Sequence, residues 1–254
     1  MPDTLVLSVD GRVATITLSR PEVRNAINLL MIEELHAVLD ALERREDVHA
    51  LVLAGAGGKA FASGADIAEL RDRRAADARR AINGALFARL ERFPRPTLAA
   101  ITGFCLGGGC ELALACDFRI AGASSRFGQP EVGLGIMAAA GGTRRLPALV
   151  GLAAARRLLF TGAVIDAAEA LRIGLVDEVV PDAGVDAAVK VFLAPILAAA
   201  PEAVRRTKAS LLAREHGATE AELAALDVES QAALFEHPDK FARMDAFLAK
   251  RRPT

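Results

Sequence analysis

Short apolar segments that predict β-strands alternate with helical segments along this chain as far as Pro181. The first two predicted strands meet at Asp10-Gly11, a dipeptide typical of tight hairpin turns. Strands that alternate with helices favour an α/β core. The predicted strands are residues 5–9, 13–18, 50–53, 97–101 and 118–121.

Helical periodicity connects these strands. In residues 29–42 the apolar side chains recur at the spacing of one helix face. Residues 66–92 are charged and periodic, and they predict one long helix that Pro94 terminates. The glycines at 107–109 lead into a short predicted helix over 110–115.

Beyond Pro181 the sequence predicts helices and no strand. We therefore expect an α/β core over residues 1–181 and a helical appendage over residues 182–254. The predicted helices are residues 185–199, 202–215, 220–235 and 240–250.

Composition narrows the possible partners. The 254 residues are 52% hydrophobic, enough for a sizeable core without disulfides or metals. A net charge of −1, with no Trp and no Tyr, argues against binding nucleic acid, which uses positive surfaces and stacking aromatics. The N-terminus lacks the pattern of a signal peptide, and the apolar stretch 191–200 is too short to span a bilayer. We expect a cytoplasmic protein without a membrane partner.

The three cysteines, Cys105, Cys110 and Cys116, predict neither disulfides nor a metal site. Their number is odd, their spacing is not C-x-x-C, and no histidine lies near them in the sequence. We expect buried, apolar thiols, and we predict no metal ligands.

Two familiar motifs are excluded. The glycine-rich residues 55–61 resemble a phosphate loop, but Lys59 is followed by Ala60 where Ser or Thr should hold Mg²⁺. Ser63 is not in the G-x-S-x-G turn of a serine hydrolase.

Two glutamates in glycine-rich surroundings are the candidate catalytic residues. Glu111 follows three glycines, and Glu131 lies in the segment 127–133, twenty positions later. Substrate can approach closely where side chains are absent, and two converging carboxylates can exchange protons with a bound water. Glu111 could instead be an ordinary acid of a first helical turn, and Glu131 an exposed loop acid. The apolar neighbours of Glu111 indicate burial, which favours a functional role because a buried carboxylate is costly.

Three loops lead into predicted helices: residues 62–66, residues 107–109 and the loop around Glu131. A helix start presents unpaired backbone N–H groups. Two such groups from different loops could form an oxyanion hole.

In these segments the chain resembles the enoyl-CoA hydratase/isomerase (crotonase) superfamily, most closely the enoyl-CoA hydratases. The order and spacing of the matching stretches are specific to that superfamily. They are residues 19–21, 25–26, 59–66, 101–112, 127–131, 141–143, 161–162, 174–176 and 246–251.

The resemblance implies an α/β spiral of ββα units, with the active site in residues 1–181 and a C-terminal helical oligomerisation region in residues 182–254. It implies assembly as a homotrimer or as a homohexamer built as a dimer of trimers. It implies that Glu111 deprotonates the water that attacks the β-carbon and that Glu131 exchanges the proton at the α-carbon. It also implies that the backbone N–H groups of Ala65 and Gly108 form the oxyanion hole. The residues implied to bind the acyl-CoA substrate are Ser63, Ala65, Asp66, Ile67, Gly108, Phe247 and Lys250.

The resemblance implies hydration of a 2-enoyl-CoA in fatty-acid or related acyl-CoA breakdown, with no cofactor other than the coenzyme A of the substrate. Two departures from the superfamily pattern are Ala68, where a lysine is common, and Ala138-Ala139, where Pro-Gly is common. Other crotonase-fold reactions, namely double-bond isomerisation or a specialised dehydration, are alternatives. A non-enzymatic RNA-binding member of the fold is a further alternative.

Overall fold

The computed structural model describes residues 2–250 and contains two β-sheets. The larger sheet has the order β1-β2-β3-β5-β7-β10, in which only the β1–β2 pair is antiparallel. Its strands are β1 (Leu5–Asp10), β2 (Val13–Leu18), β3 (Ala50–Gly55), β5 (Thr97–Ile101), β7 (Phe118–Gly122) and β10 (Glu178–Val180).

The smaller sheet has the order β4-β6-β8-β9, with a parallel arrangement except between β8 and β9. Its strands have three residues each: β4 (Ala60–Ala62), β6 (Phe104–Leu106), β8 (Arg126–Gly128) and β9 (Val164–Asp166). The chain enters the sheets alternately, since β3, β5 and β7 join the larger sheet and β4, β6 and β8 the smaller one. Each such pair is followed by helix, which is the predicted α/β repeat of two strands and a helix, and the fold class is confirmed.

Tight connections between paired strands depend on glycine. Gly103 joins β5 to β6 with a φ of 69°, and a Cβ there would overlap the carbonyl oxygen of Lys59. A side chain at residue 103 would therefore push apart the two segments that begin the smaller sheet.

The helices are α1 (Leu29–Glu43), α2 (Ile67–Asp72), α3 (Ala75–Arg79), α4 (Ile82–Glu91), α5 (Gly108–Leu114), α6 (Gly142–Thr161), α7 (Ala167–Arg172), α8 (Val185–Ala198), α9 (Pro201–Glu215), α10 (Glu220–Glu236) and α11 (Pro238–Lys250). The core lies between the sheets, α1, α4 and α5, and its largest fully buried side chains include Phe61, Phe87, Phe93 and Phe127. The three cysteines are buried and free, as predicted.

The prediction of a single helix over residues 66–92 is wrong. Arg73 and Arg74 have extended backbones, and Ala81 is left-handed with a φ of 48°, so three short helices take its place. The segment 71–80 contains no large apolar side chain that could hold a continuous helix against the core. Helices in proteins depend on the packing of an apolar face, so the chain bends within this segment. The uniform pattern of charge gives no indication of that break.

Backbone contacts divide the chain into two compact units, one that ends at Leu193 and one that begins at Ala194. In the second unit α9 packs against α10, and α10 contacts α11. The predicted division into residues 1–181 and 182–254 assigns the active site to the first region and oligomerisation to the second. Both roles stay a prediction. Among the described residues no single helix is long and apolar enough to cross a membrane. The bent pair Asp182–Ala198 and Pro201–Glu215 reaches that length and apolar composition only when its two helices are taken together.

Candidate active site

A cavity of about 680 Å³ lies where the chain leaves β4, β6 and β8. These three strands are parallel neighbours in the smaller sheet, so their carboxyl ends meet at one edge. The residues that follow them are Ser63–Ala65, Gly107-Gly108 and Pro130-Glu131, and all of these line the cavity. The sheet topology thus brings the three loops expected from the sequence to one place.

Glu111 lies in the first turn of α5 and is only 3% exposed. Its Oε1 accepts a hydrogen bond of 2.8 Å from the backbone N–H of Gly142, the first residue of α6. Burial raises the pKa of Glu111 to about 7; the negative charge of Glu131 acts in the same direction, while N–H groups of Gly142 and Ala140 and the Arg145 guanidinium oppose it. A carboxyl group with this pKa can both accept and release a proton near neutral pH.

Glu131 lies in the 3₁₀ helix Pro130–Leu134 and is 8% exposed, so the interpretation of this residue as an exposed loop acid is wrong. Burial raises its pKa, opposed by a hydrogen bond from its own backbone N–H. A Cβ on Gly107 would lie 3.0 Å from Oε1 of Glu131. The absence of a side chain at 107 therefore lets this carboxyl group lie against the start of α5.

Gln129 is a buried neighbour of Glu131 that the sequence reasoning missed. With its amide nitrogen turned toward Glu131, it donates hydrogen bonds of 3.1 and 3.2 Å to the two carboxylate oxygens. The orientation of the amide follows from its hydrogen-bond partners. The signal that could have found it is its position directly before Pro130-Glu131, inside a stretch already singled out.

Two backbone N–H groups, those of Ala65 and Gly108, lie where the first two loops come close together. A Cβ on Gly108 would lie 3.3 Å from the nitrogen of Ala65, and a Cβ on Gly64 would lie 3.7 Å from the nitrogen of Gly108. Within residues 2–250 neither the Ala65 nor the Gly108 N–H donates a hydrogen bond to another protein group. Two free donors this close to each other can bind a single oxygen atom that carries negative charge.

The other predicted binding residues lie in different places. Ser63 and Ile67 line the cavity. The carboxylate of Asp66 caps α2 through the N–H of Ala68 and pairs with Arg20 at 3.2 Å, which is a structural role. Phe247 and Lys250 lie on α11 in the second unit, and their contact with coenzyme A stays a prediction.

The Ala138-Ala139 departure lies beside the acids. The side chain of Ala138 is buried, while Ala139 lines the cavity. The N–H of Ala139 donates to the carbonyl oxygen of Met137 at 2.8 Å. This N–H therefore already has a backbone partner.

Much of the remaining cavity wall is aliphatic, which suits an apolar chain. Its aliphatic residues include Ile67, Leu70, Ile82, Leu134, Ile136 and Met137. In residues 2–250 no group of three or more His, Cys, Asp and Glu side chains is arranged to hold a metal ion. The site therefore offers proton transfer between carboxyl groups and hydrogen bonding by backbone N–H groups.

Known proteins are similar to this chain in sequence and in fold. A sequence model of the family described as "Enoyl-CoA hydratase/isomerase" matches residues 9–254. The "Short-chain-enoyl-CoA hydratase" of Clostridium acetobutylicum is 40% identical, with 98% of this chain and 96% of that protein covered. The "Crotonyl-CoA hydratase" of Syntrophomonas wolfei is also 40% identical, with the same coverage. The crystal structure of enoyl-CoA hydratase from Bacillus anthracis superposes with a TM-score of 0.92 at 32% identity, over 99% of this chain and 98% of that one.

Proposed function

Because the chain belongs to the enoyl-CoA hydratase/isomerase family, we propose that it is a hydro-lyase that adds water reversibly to a 2-enoyl-CoA, giving a 3-hydroxyacyl-CoA. The observation that carries this proposal is the position of both acids, Glu111 and Glu131, on the cavity that also contains the free N–H groups of Ala65 and Gly108. Two acids at one cavity can serve the two proton transfers of hydration, one at the water and one at the α-carbon.

The first half of the reaction is assigned to Glu111. Its ionised carboxylate takes a proton from water while the water oxygen forms a bond to the β-carbon. The electron pair of the double bond moves toward the thioester, whose oxygen gains negative charge. The N–H groups of Ala65 and Gly108 bind that oxygen, as an oxyanion hole does.

The second half is assigned to Glu131. Burial raises the pKa of this carboxyl group, which favours the protonated form that the step requires. Glu131 gives its proton to the α-carbon, and the negative charge on the thioester oxygen is discharged. The product has gained OH at the β-carbon and H at the α-carbon, and a proton passes from Glu111 back to Glu131 through solvent to restore the starting state.

Substrate binding completes the proposal. Ser63, Asp66 and Ile67 are proposed to lie along the coenzyme A. Phe247 and Lys250 of α11 are proposed as further coenzyme A-binding residues. The coenzyme A enters as part of the substrate, and no further cofactor is invoked. We place the enzyme in the cytoplasm as a homotrimer or a dimer of trimers, without nucleic-acid partners.

An assay with a chain-length series of 2-enoyl-CoAs tests the proposal. The enzyme should remove the conjugated absorbance of one or more members, beginning with the four-carbon crotonyl-CoA, the substrate named for one relative. Turnover of a 3-enoyl-CoA with none of the 2-enoyl series would instead identify an isomerase.

A further inference from the structure

We propose that the buried pair of Arg145 with Glu91 positions Glu111, because it holds the turn over residues 138–142, in which the Gly142 N–H donates a hydrogen bond to the Glu111 carboxylate. The kinetic part of this inference rests on the proposed function, in which Glu111 is the base. The geometric part concerns the protein alone.

The ion pair links α4 to α6 inside the protein. Glu91 is 7% exposed and Arg145 is 6% exposed. Nε of Arg145 donates to one carboxylate oxygen of Glu91 at 2.8 Å, and Nη2 donates to the other at 3.1 Å. This two-point geometry fixes the plane of the guanidinium group as well as its position.

The third nitrogen of Arg145 reaches the turn. Nη1 donates to the carbonyl oxygen of Ala140 at 3.0 Å. Gly141 has a φ of 117°, and a Cβ there would overlap Nη1, so the guanidinium lies directly against the backbone of the turn. Gly142, in the same turn, donates its backbone N–H to Oε1 of Glu111 at 2.8 Å. A displacement of Arg145 is therefore transmitted to Glu111 through the two peptide units between Ala140 and Gly142.

Stability alone is a weak account of this pair. The desolvation of two buried charges largely offsets their attraction, so buried ion pairs contribute little net stability. Although burial raises the pKa of Glu91, hydrogen bonds from Arg145 and Arg144 lower it to about 2, so the pair stays ionised wherever the enzyme works. The pair therefore mainly fixes the position of the turn beside Glu111, the proposed base.

The charges that act on Glu111 come from two directions. Glu131, from the 3₁₀ helix, raises the pKa of Glu111, and Arg145, from α6, lowers it. Glu91 and Arg144 lie behind Arg145 and balance or add to its charge. Arg145→Gln removes both the positive charge and the hydrogen bonds of the guanidinium group. Arg145→Lys keeps the charge and changes only the geometry, so the two effects on Glu111 can be separated.

Arg144 provides a matched control. Its Nη2 donates to the two oxygens of Glu91 at 3.0 and 2.8 Å, like its neighbour. Its side chain is 48% exposed, however, and among the described residues its guanidinium hydrogen-bonds only to Glu91 and not to the turn. Arg144→Gln removes the same charge from the same partner and leaves the contact with the turn intact.

The test compares Arg145→Gln, Arg145→Lys and Arg144→Gln for hydration of crotonyl-CoA. Arg145→Gln should lose about 10²-fold in kcat with little change in KM, the scale of a misplaced reacting group. Arg145→Lys keeps the charge but not the fork of donors, so its kcat should also fall. Arg144→Gln should stay within a few-fold of wild type. Equal kcat values in folded Arg145→Gln and Arg144→Gln would overturn the inference.

A second measurement does not depend on activity. A ¹³C NMR titration of the Glu111 carboxyl, assigned with Glu111→Gln, should show a higher pKa in Arg145→Gln than in Arg144→Gln. An unchanged pKa of Glu111 in Arg145→Gln would overturn the inference, whether or not the protein hydrates crotonyl-CoA. If the protein has no hydratase activity, the NMR comparison still tests the geometric part of the inference. If Arg145→Gln does not fold, Glu91→Gln replaces it in both measurements. Arg145 then loses one oxygen partner, so kcat should fall. The positive charge of Arg145 is also less compensated, so the pKa of Glu111 should fall. A Glu91→Gln protein with wild-type kcat and pKa would overturn the inference.

Discussion

The carboxylate of Glu111 and the backbone N–H of Gly142 are joined by a 2.8 Å hydrogen bond across 31 residues of sequence. Gly142 begins α6, so the carboxylate lies at a helix N-terminus, where N–H groups favour the ionised form. Burial works against that form and prevails, which leaves the pKa of Glu111 at about 7. One residue is therefore held in place and kept close to half ionisation at neutral pH.

The raised pKa of Glu111 predicts a pH-dependent gain in stability for Glu111→Gln. The folded pKa is about 7 and the ordinary value is 4.5, so the folded protein holds this proton more tightly than the unfolded chain. Stability from this group is present below 4.5 and is lost as the pH rises through 7, by about 3 kcal/mol on the linkage scale. Denaturant unfolding should therefore find Glu111→Gln more stable than wild type at about pH 8, with a smaller difference at about pH 5. A difference that is the same at both pH values would show that Glu111 does not titrate in this range.

The same pKa values predict the pH dependence of turnover. Turnover requires Glu111 ionised and Glu131 protonated, so the active form of the pair carries one proton. Burial raises the pKa of both carboxyl groups, so kcat/KM should rise as the first acid ionises and fall as the second one does. Because the two acids interact, the two limbs belong to the pair rather than to single residues. A profile that is flat from mildly acidic to mildly alkaline pH would contradict the assigned roles.

Gly108→Val should damage the oxyanion hole. A Cβ at residue 108 would lie 3.3 Å from the nitrogen of Ala65, so the larger side chain crowds the space between the two donors. We expect kcat to fall by about 10²–10³-fold, the effect of losing one such donor. Gly133→Val is the control, because a Cβ there meets no atom within 4 Å. A folded Gly108→Val protein as active as the control would place the oxyanion hole elsewhere.

Restoring Pro-Gly at residues 138 and 139 should change the preference among acyl chains. Ala139 faces the cavity and adds a methyl group to its wall, while Ala138 is buried. The relative kcat/KM of short and long 2-enoyl-CoAs should shift by about 1–3 kcal/mol, the scale of a methyl-sized change in an apolar pocket. Ala139→Gly alone should reproduce most of the shift, and Ala138→Pro alone should not. An unchanged profile in the double variant would mean that the acyl group does not reach this wall.

Five of the six described strands of the larger sheet and the C-terminal helices could be predicted because their patterns are longer, whereas β10, with three residues, could not. The predicted strand 13–18 and the helices beyond Pro181 agree with the structure to within one or two residues at most ends. The smaller sheet could not be predicted, because its strands have three residues each, too few to show a period of two. Its existence depends on parallel pairing between segments that are far apart in sequence.

Glycine-rich surroundings and the family resemblance selected Glu111 and Glu131 as candidates. The structure places both at the cavity, and their catalytic roles stay a prediction. The groups that surround Glu111 could not be predicted. Gly142 and Arg145 act on Glu111 from α6, and Glu91 acts from the end of α4 through Arg145, so only the folded chain brings them together. The break of the helix predicted over 66–92 was missed for a related reason, because the run of charge and alanine gives no sign of where packing ends.

The most direct test of the account is the initial rate of crotonyl-CoA hydration by wild type, Glu111→Gln, Glu131→Gln and the double variant. Each single variant should lose at least about 10²-fold in kcat, the scale for a positioned acid or base. The double variant should lose little more than the worse single variant, because groups that act as a unit are not additive. Substrate binding should change little, since the N–H groups of Ala65 and Gly108 remain. A folded single variant with near-wild-type kcat would remove that residue from the mechanism, and an active double variant would contradict the two-acid hydration altogether.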